Sequence, residues 1–531
     1  MQFMRNQGYA LKTSAQAIFW FFALMIGPGC TVSAGSSERK LQNTAAGASE
    51  LWGLNGERWN PMSRLPDYSF AGYRSGRRAL PDVPVVASVK DFGAVGDGKT
   101  DDTAAFAAAL ASVKVGGVLI PRGRYRIARP ITIQQSGVIL KGADRDETIL
   151  LAGHVPGNCS VPNQGPPNCA PYHGVAMFQI IGNVRGTKLT NVVGTAKRGD
   201  RKLRVSSARS IRAGQFIRLR MRNPADNSLG CHLYAEAGCL SAERRKWYAG
   251  RIVDWVVPVE SLDGNSLTLG RPLRLDVRDH WSPEIWSFDP SVQESGIENV
   301  TIQFSGEPYA GHNHEQGDYA VFIQDAYNCW IRNVTIVDAD RGIEVSGGYN
   351  TVSGVTLRTR VRTPIRTANV YATGHFGLSA GRPRAQDNLF VDSQLETVFV
   401  HNLSVSSFAN GNIFSRIRSQ VPHFDHHGGG PYENLFTEIT LTRAADDLFK
   451  SGGNRADEPN GTRTTVWNVM YRGPLTVGKS ENKLPGLNIV GVGGLDSVKP
   501  EKASANWWVE SWSGVDTQPP NLYDAQLKNR R

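Results

Sequence analysis

Apolar residues in this chain come in short runs separated by polar or turn-forming positions. From 101 to 113 the text DDTAAFAAALASV opens on Asp and Thr and continues in alanine, which predicts a helix. GGVLIP, YRIARPITI and GVILKG follow, each bounded by Gly or Pro, and read as strands. The second half repeats one theme, an Asn before an apolar or β-branched run. It occurs as NVTI at Asn299 and Asn333, NTVS at Asn350, NLFV at Asn388, NIFS at Asn412, NLFT at Asn434, NVMY at Asn468 and NIVG at Asn488. The steps 388 to 412, 412 to 434 and 468 to 488 are 24, 22 and 20 residues, and the longer steps leave room for insertions in turns. A period in the low twenties predicts a solenoid whose coils stack their strands about 4.8 Å apart. The recurrent Asn then reads as structural, bonding one coil to the next.

A different pattern separates the two halves. GTAKRGDRKLRVSSARSIRAGQFIRLRM and RIVDWVVPVESLDGNSLTLGRPLRL alternate apolar and polar residues and turn at RGD and DGN. Residues 186–276 are therefore expected to form an inserted β-rich subdomain, with Arg218, Arg220 and Arg222 sharing a charged face. The first coils occupy 81–185, the main coils 277–500 and a tail 501–531. Residues 35–80 are polar and read as a flexible linker. Residues 1–34 read as an export signal: Arg5 and Lys12 lead, AIFWFFALMIG is too short to span a bilayer comfortably, and VSA ends at Ala34. Cys30 in GPGC leaves lipoprotein anchoring as the alternative to a free periplasmic or secreted protein. No later segment has the ~20 apolar residues of a membrane helix.

Composition supports a folded, turn-rich chain: 40% hydrophobic and 20% charged residues, with 56 glycines in no collagen period. The net charge of +11 points, outside the cytoplasm, to an acidic polymer in preference to nucleic acid, although a basic surface also serves solubility alone. Export permits disulfides, so Cys159 with Cys169 and Cys231 with Cys239 are predicted pairs, and Cys329, in an apolar run, a buried thiol. C-x-x-C spacing is absent, which argues against a cysteine zinc site.

DFGAVGDGKTDDTAAF (91–106), GGVLIPRGRY (116–125) and GVILKG (137–142) strongly resemble the opening of the pectate-lyase-like superfamily, of the rhamnogalacturonase/epimerase type. The resemblance implies an all-β fold, a right-handed parallel β-helix with an N-terminal cap helix, here carrying an inserted small β-domain. It gives Asp97, Asp101 and Asp102 a capping role ahead of a catalytic one. The superfamily holds lyases, glycoside hydrolases, epimerases and phage tailspikes, so the fold leaves the reaction open.

The candidate chemistry lies in VPHFDHHGGGPYENLF, 421–436, where His423, His426 and His427 crowd Asp425 in a chain with 11 histidines. Thirteen positions after Asn388 stands His401, and thirteen after Asn412 stands Asp425, with His426 at fourteen. His375 lies 26 residues before His401. A column His375, His401, Asp425/His426 suits glycosidic-bond chemistry, where one group donates a proton and another accepts one. Asp338 and Asp340, two apart, are predicted on one face of a strand, as a carboxylate pair of the kind an inverting glycosidase uses. The expected catalytic set is thus His426, Asp425, His401, His375 and Asp340.

The resemblance implies two reactions. Hydrolases of this fold follow their acidic residues with Gly-His-Gly, which GHFGLS (374–379) approaches except at Phe376. Lyases of this fold remove the proton beside a uronate carboxylate that calcium, a cation or an amide neutralises. Arg358, Arg360, Arg382, His423 and His427 are the expected substrate-binding residues, and calcium is the cofactor the resemblance offers. A hydrogen-bonded turn and a transition-metal site at His423, Asp425, His426 and His427 are competing readings of the cluster. Trp467, Tyr432 and Tyr371 serve either sugar stacking or packing. The overall expectation is an exported, monomeric lyase acting on an acidic polysaccharide. A polygalacturonase-like hydrolase comes second and a non-catalytic glycan-binding protein third.

Overall fold

The computed structural model describes residues 47–153, 175–234, 248–315, 317–368, 370–443, 448–449, 461–471, 484–493, 506–512 and 515–530. All belong to one compact unit, Thr44–Arg531. The fold is an all-β parallel β-helix. One parallel sheet starts at Val85–Ser88 and Gly116–Ile120. It runs through Gly296–Gln303, Trp330–Val337, Leu389–Leu395, Ile413–Ser419, Leu435–Leu441 and Thr465–Met470 to Trp508–Glu510. A second parallel sheet stacks Ile131–Ile133, Phe178–Ile181, Tyr319–Tyr327, Arg341–Gly348, Gly374–Ala380, Phe399–Val405 and Phe424–His426. Inward residues of both sheets share one apolar core, in which Phe390, Phe414, Phe436 and Phe424 stack nearly face to face.

Asn488 bonds Thr465 and Arg64, and the other repeated asparagines divide into two kinds. Asn350, Asn388, Asn412 and Asn434 form a buried ladder, each amide oxygen accepting from the backbone or side chain of the coil before it. Asn299, Asn333 and Asn468 instead sit inside strands with φ near +55°. Asp392, Arg416 and Glu438 adopt the same left-handed conformation within their own strands. A left-handed residue other than glycine costs about 1–2 kcal/mol, and side-chain hydrogen bonds between coils accompany it here, from Asn333 Nδ2 to Asn299 Oδ1 at 2.8 Å and from Arg416 to Asp392 at 2.6 Å.

The helix Thr103–Ser112 buries Phe106, Ala109 and Leu110 against the first coil, with Phe106 edge-on to Tyr125 at 5.5 Å. Asp97 accepts from the Lys99 and Thr100 amides, and Asp102 from those of Val95 and Gly96, so these carboxylates fold the turn that leads into the helix. The insertion is a six-stranded antiparallel sheet that extends past 276 to the strand Glu284–Ser287. Its arginines do not form the charged face expected. Arg218 is buried in an ion pair with Asp254, Arg220 lies over Trp286 at 4.3 Å, and Arg222 is exposed. Buried ion pairs tie this sheet to the coils: Arg271 and Arg274 to Asp387, and Arg198 and Arg274 to Glu433.

Residues 47–80 are not a flexible linker. Trp52, Leu65, Tyr68 and Ala71 pack with Leu389, Ile413, Leu435 and Trp467. The tail contributes the helix Leu522–Arg530, whose Leu522 and Tyr523 enter the same cluster. The Tyr68 backbone amide donates to Gln526 Oε1, and the Tyr523 hydroxyl donates to the Ala71 carbonyl. Residues 1–34, Cys159, Cys169 and Cys239 lie outside the described residues, and Cys231 is buried. Cys329 is a buried thiol that burial pushes up to about 12. No described helix is long and apolar enough to cross a membrane.

Candidate functional site

Side chains alternate across a strand, and that alternation sorts the residues from 424 to 427. Phe424 points inward and stacks on Phe436 at 4.4 Å. His426, two positions on, also points inward. Its ring lies 5.7 Å from that of Phe449, and its Nε2 is 3.0 Å from the Thr464 hydroxyl. Burial depresses its pKa to about 4. His426 is therefore a core residue and not the outward acid or base expected. Asp425 and His427 take the other face.

Asp425 is fully buried beneath that outer face. The Ser404 hydroxyl donates to its Oδ2 at 2.7 Å, His427 Nδ1 lies 3.1 Å away and His401 Nδ1 3.3 Å. Burial alone would raise this carboxyl, but the imidazoles of His401 and His427 more than reverse it, and its pKa falls well below the usual range. His427 is the member open to solvent, its side chain 34% exposed. Burial lowers its pKa and the Asp425 carboxylate outweighs that, so the net shift is upward. His401 is buried, and burial holds it well below the ordinary imidazole value.

Adjacent coils extend the cluster. Arg341, Phe376 and His401 are register partners on three successive strands. The Phe376 ring lies 4.8 Å from that of His401 and 5.2 Å from that of His427, and the Arg341 guanidinium covers it at 4.8 Å. Arg341 pairs with Glu344 at 2.9 Å, and exposed Arg382 reaches Glu344 at 3.4 Å. His375 packs on Phe376, 5.3 Å from His401 between ring centres.

The segment 304–315 closes one side and brings two residues the sequence reading missed, His312 and Glu315. His312 lies 4.5 Å from His375 and 5.9 Å from His401 between ring centres. Glu315 Oε1 is 2.8 Å from His375 Nδ1 and accepts from the Tyr309 hydroxyl at 2.9 Å. Burial raises the Glu315 pKa. The loop is anchored by Thr367, whose hydroxyl accepts from the His312 amide, and by buried Arg362, 2.6 Å from both Asp318 and Asp340. One donor atom from each of His312, His375 and His401 lies within 4.8 Å of the others, and the same holds for His401, Asp425 and His427. GHNHE at 311–315 was the available signal, since it holds two of the 11 histidines.

Other expected site residues have structural tasks. Asp340 pairs with Arg362 and accepts from the Gly317 and Asp318 amides. Asp338 accepts from the Thr359 hydroxyl and the Arg360 amide. Both follow the end of the strand Trp330–Val337, so they are not a same-face strand pair. His423 Nδ1 donates to the Phe399 carbonyl at 3.0 Å and fastens the turn to the preceding coil. Arg358 is exposed on a strand of the first sheet, and Arg360 lies beside Asp338, so neither joins the histidine cluster. Trp467 and Tyr432 are buried packing residues, while Tyr371 is exposed. A cavity of about 730 Å³ lies elsewhere, lined by Phe70, Arg74, Phe216 and Arg530 among others, with none of the cluster in its walls.

Residues 86–184 match the family described as rhamnogalacturonase A/epimerase, pectate lyase-like, and the motifs at 91–142 fall inside that segment. Alginate lyase 7 of Azotobacter vinelandii is 44% identical over 72 residues, 12% of this chain and 8% of that protein. The pre-neck appendage protein of Bacillus phage B103 is 46% identical over 63 residues, 12% of this chain and 7% of its own. The chain thus spans less than a tenth of the length of these curated relatives. Among solved structures, the tailspike of Pseudomonas phage LKA1 has a TM-score of 0.33 at 14% identity, covering 76% of each chain. An exopolygalacturonase from Thermotoga maritima has a TM-score of 0.31 at 13% identity, covering 77% of this chain and 87% of that one.

Proposed function

We propose that this protein is an exported enzyme that cleaves an acidic, uronate-containing polysaccharide by β-elimination, working as a monomer on the outer face around Asp425. The match of residues 86–184 to a pectate lyase-like family and the local likeness to an alginate lyase support a polysaccharide as substrate. The observation that carries the reaction type is the arrangement at Asp425: one carboxylate held between His401 and His427, with Arg341 over the neighbouring Phe376 ring and Arg382 sharing Glu344 with Arg341. Asp338 and Asp340, the carboxylates a hydrolase would need, are engaged in hydrogen bonds and an ion pair. The outer face presents imidazoles where an inverting glycosidase presents two open carboxylates.

In this reading His427 takes the proton from C5 of the uronate. The electron pair left on C5 forms the C4=C5 bond as the C4–O bond breaks. The leaving oxygen departs with the proton that the His427 imidazolium returns. Asp425 orients His427 through its Nδ1, leaving the other nitrogen for substrate. Arg341 and Arg382 draw the uronate carboxylates to the face.

Incubation with a panel of acidic and neutral polysaccharides tests this. Ultraviolet absorbance of unsaturated uronate ends is the expected result. New reducing ends without that absorbance would make the protein a hydrolase, and neither signal across the panel would leave a glycan-binding protein.

A further inference from the structure

Three imidazoles converge where the segment 304–315 meets the second sheet, and each comes from a different element. His312 stands on the loop, His375 on the strand Gly374–Ala380 and His401 on the strand Phe399–Val405. Their ring centres are 4.5, 5.3 and 5.9 Å apart, and one nitrogen of each lies within 4.8 Å of the others. Two carboxylates stand behind them. Glu315 meets Nδ1 of His375 at 2.8 Å, and Asp425 meets Nδ1 of His401 at 3.3 Å. Nε2 of His401 is buried and meets no hydrogen-bond partner among the described residues. A buried polar atom of that kind is costly unless something binds it.

We infer that His312, His375 and His401 bind one divalent transition metal of the zinc class, with Glu315 and Asp425 orienting His375 and His401 from behind. A ligating histidine characteristically gives its other ring nitrogen to a carboxylate, which fixes its tautomer and raises its basicity. Here both carboxylates lie within ion-pair distance of Nδ1 without a formed hydrogen bond, and the buried Nε2 of His401 is left for the ion. Imidazole donors suit zinc, cobalt, nickel or copper, whereas calcium takes six to eight oxygens, which this cluster does not offer. Three protein ligands leave a fourth position open. His312 is only half-buried, so the open position faces the solvent side that His427 shares. The three imidazole ligands carry no charge of their own, the carboxylates Glu315 and Asp425 stand one ring further out, and an anionic sugar oxygen fits the open position. This last role, neutralising the uronate carboxylate, rests on the elimination reading; the binding site itself does not.

The test uses the full chain, stripped with a chelator, dialysed, and titrated with zinc by calorimetry and with cobalt by visible absorption. One equivalent of each is expected to bind, with cobalt giving the intensified absorption of a four-coordinate nitrogen site. His312→Gln, on a loop, is expected to abolish that spectrum while leaving the melting temperature of the metal-free protein unchanged. Glu315→Gln is expected to weaken zinc about 10–100-fold. His314→Gln, at an exposed neighbour, is expected to bind as the wild type does. Absence of saturable binding, or equal binding by His312→Gln and wild type, overturns the site. Metal binding by a protein that cleaves no uronate supports the site and overturns the proposed function. Cleavage without any saturable zinc binding does the reverse.

Discussion

Replacing Asn412 by alanine isolates one rung of the buried ladder. The Asn412 oxygen accepts from the Asn388 amide at 3.1 Å and from Asn388 Nδ2 at 2.8 Å. Its own Nδ2 donates to the Ala385 carbonyl at 3.1 Å and to Asn434 Oδ1 at 3.0 Å. Asn434 Oδ1 keeps the Asn412 backbone amide, at 3.0 Å, when the side chain is gone. The loss therefore falls on Asn388, which retains its bond to the Gly347 carbonyl but leaves two donors buried and unmatched. At about 1–3 kcal/mol for each stranded donor, the substitution is expected to cost roughly 2–6 kcal/mol. Asn412→Asp separates hydrogen bonding from shape. It restores the acceptor for Asn388 yet points a second oxygen at the Ala385 and Asn434 oxygens, so it too is expected to destabilise. Urea unfolding followed by circular dichroism reads the change as a lower midpoint at constant slope. Hydrogen exchange is expected to accelerate first in the coils on either side, because solenoid stability is mostly local. A loss below about 1 kcal/mol for Asn412→Ala would refute the ladder as a source of stability.

Three further outcomes follow from the same geometry. Asp425→Asn and His427→Gln are expected to lower turnover by about 10²–10⁴-fold with the fold retained, whereas His426→Ala, at an inward position, is expected to lower the melting temperature and leave turnover of the folded protein near normal; the opposite pattern in kinetics and melting would reverse their assignments. Glu433, held among Arg198, Arg274 and Arg463, has its pKa lowered from 4.5 to about 2. A depressed carboxylate contributes stability that is full above pH ~4.5 and disappears as pH falls towards ~2, worth at most about 3 kcal/mol. Glu433→Gln is expected to flatten the acid limb of a stability–pH curve, and an unchanged limb would remove the network from acid unfolding. Binding of an acidic glycan is expected to weaken between 0.1 and 1 M salt, as the screening length falls from about 10 to about 3 Å; a dissociation constant indifferent to salt would exclude steering by exposed arginines such as Arg382.

The coil architecture was legible because its signals are local: the 91–142 motifs and the repeated Asn lie in uninterrupted text. The site was legible only in part. Counting from Asn388 and Asn412 placed His401 and Asp425 at one offset, yet the register pairs Asp425 with Ser404, and His401 with Phe376. The turn between Ser419 and Phe424 breaks the count, and without a reliable register the inward turn of His426 was invisible. His312 and Glu315 sit on a loop, where no periodicity applies, and their proximity to His375 is a tertiary fact. Residues 47–80 were misread because average polarity hid a few anchors, Trp52, Leu65 and Tyr68, each seated on the coils.

That seating has a consequence for the order in which the chain can finish folding. Repeat stacks propagate from neighbour to neighbour and can begin while later repeats are still missing. Here the amide of Tyr68 waits for Gln526, and the carbonyl of Ala71 for Tyr523, partners more than 450 positions downstream. Until the helix Leu522–Arg530 emerges, the row Leu389, Ile413, Leu435 and Trp467 lacks the cover that Leu522 and Tyr523 supply. The assembly is thus zipped along its length early and buttoned at its flank last. Removing the helix Leu522–Arg530 would leave the coils formed and their side sticky, a defect visible as aggregation before any loss of β-structure.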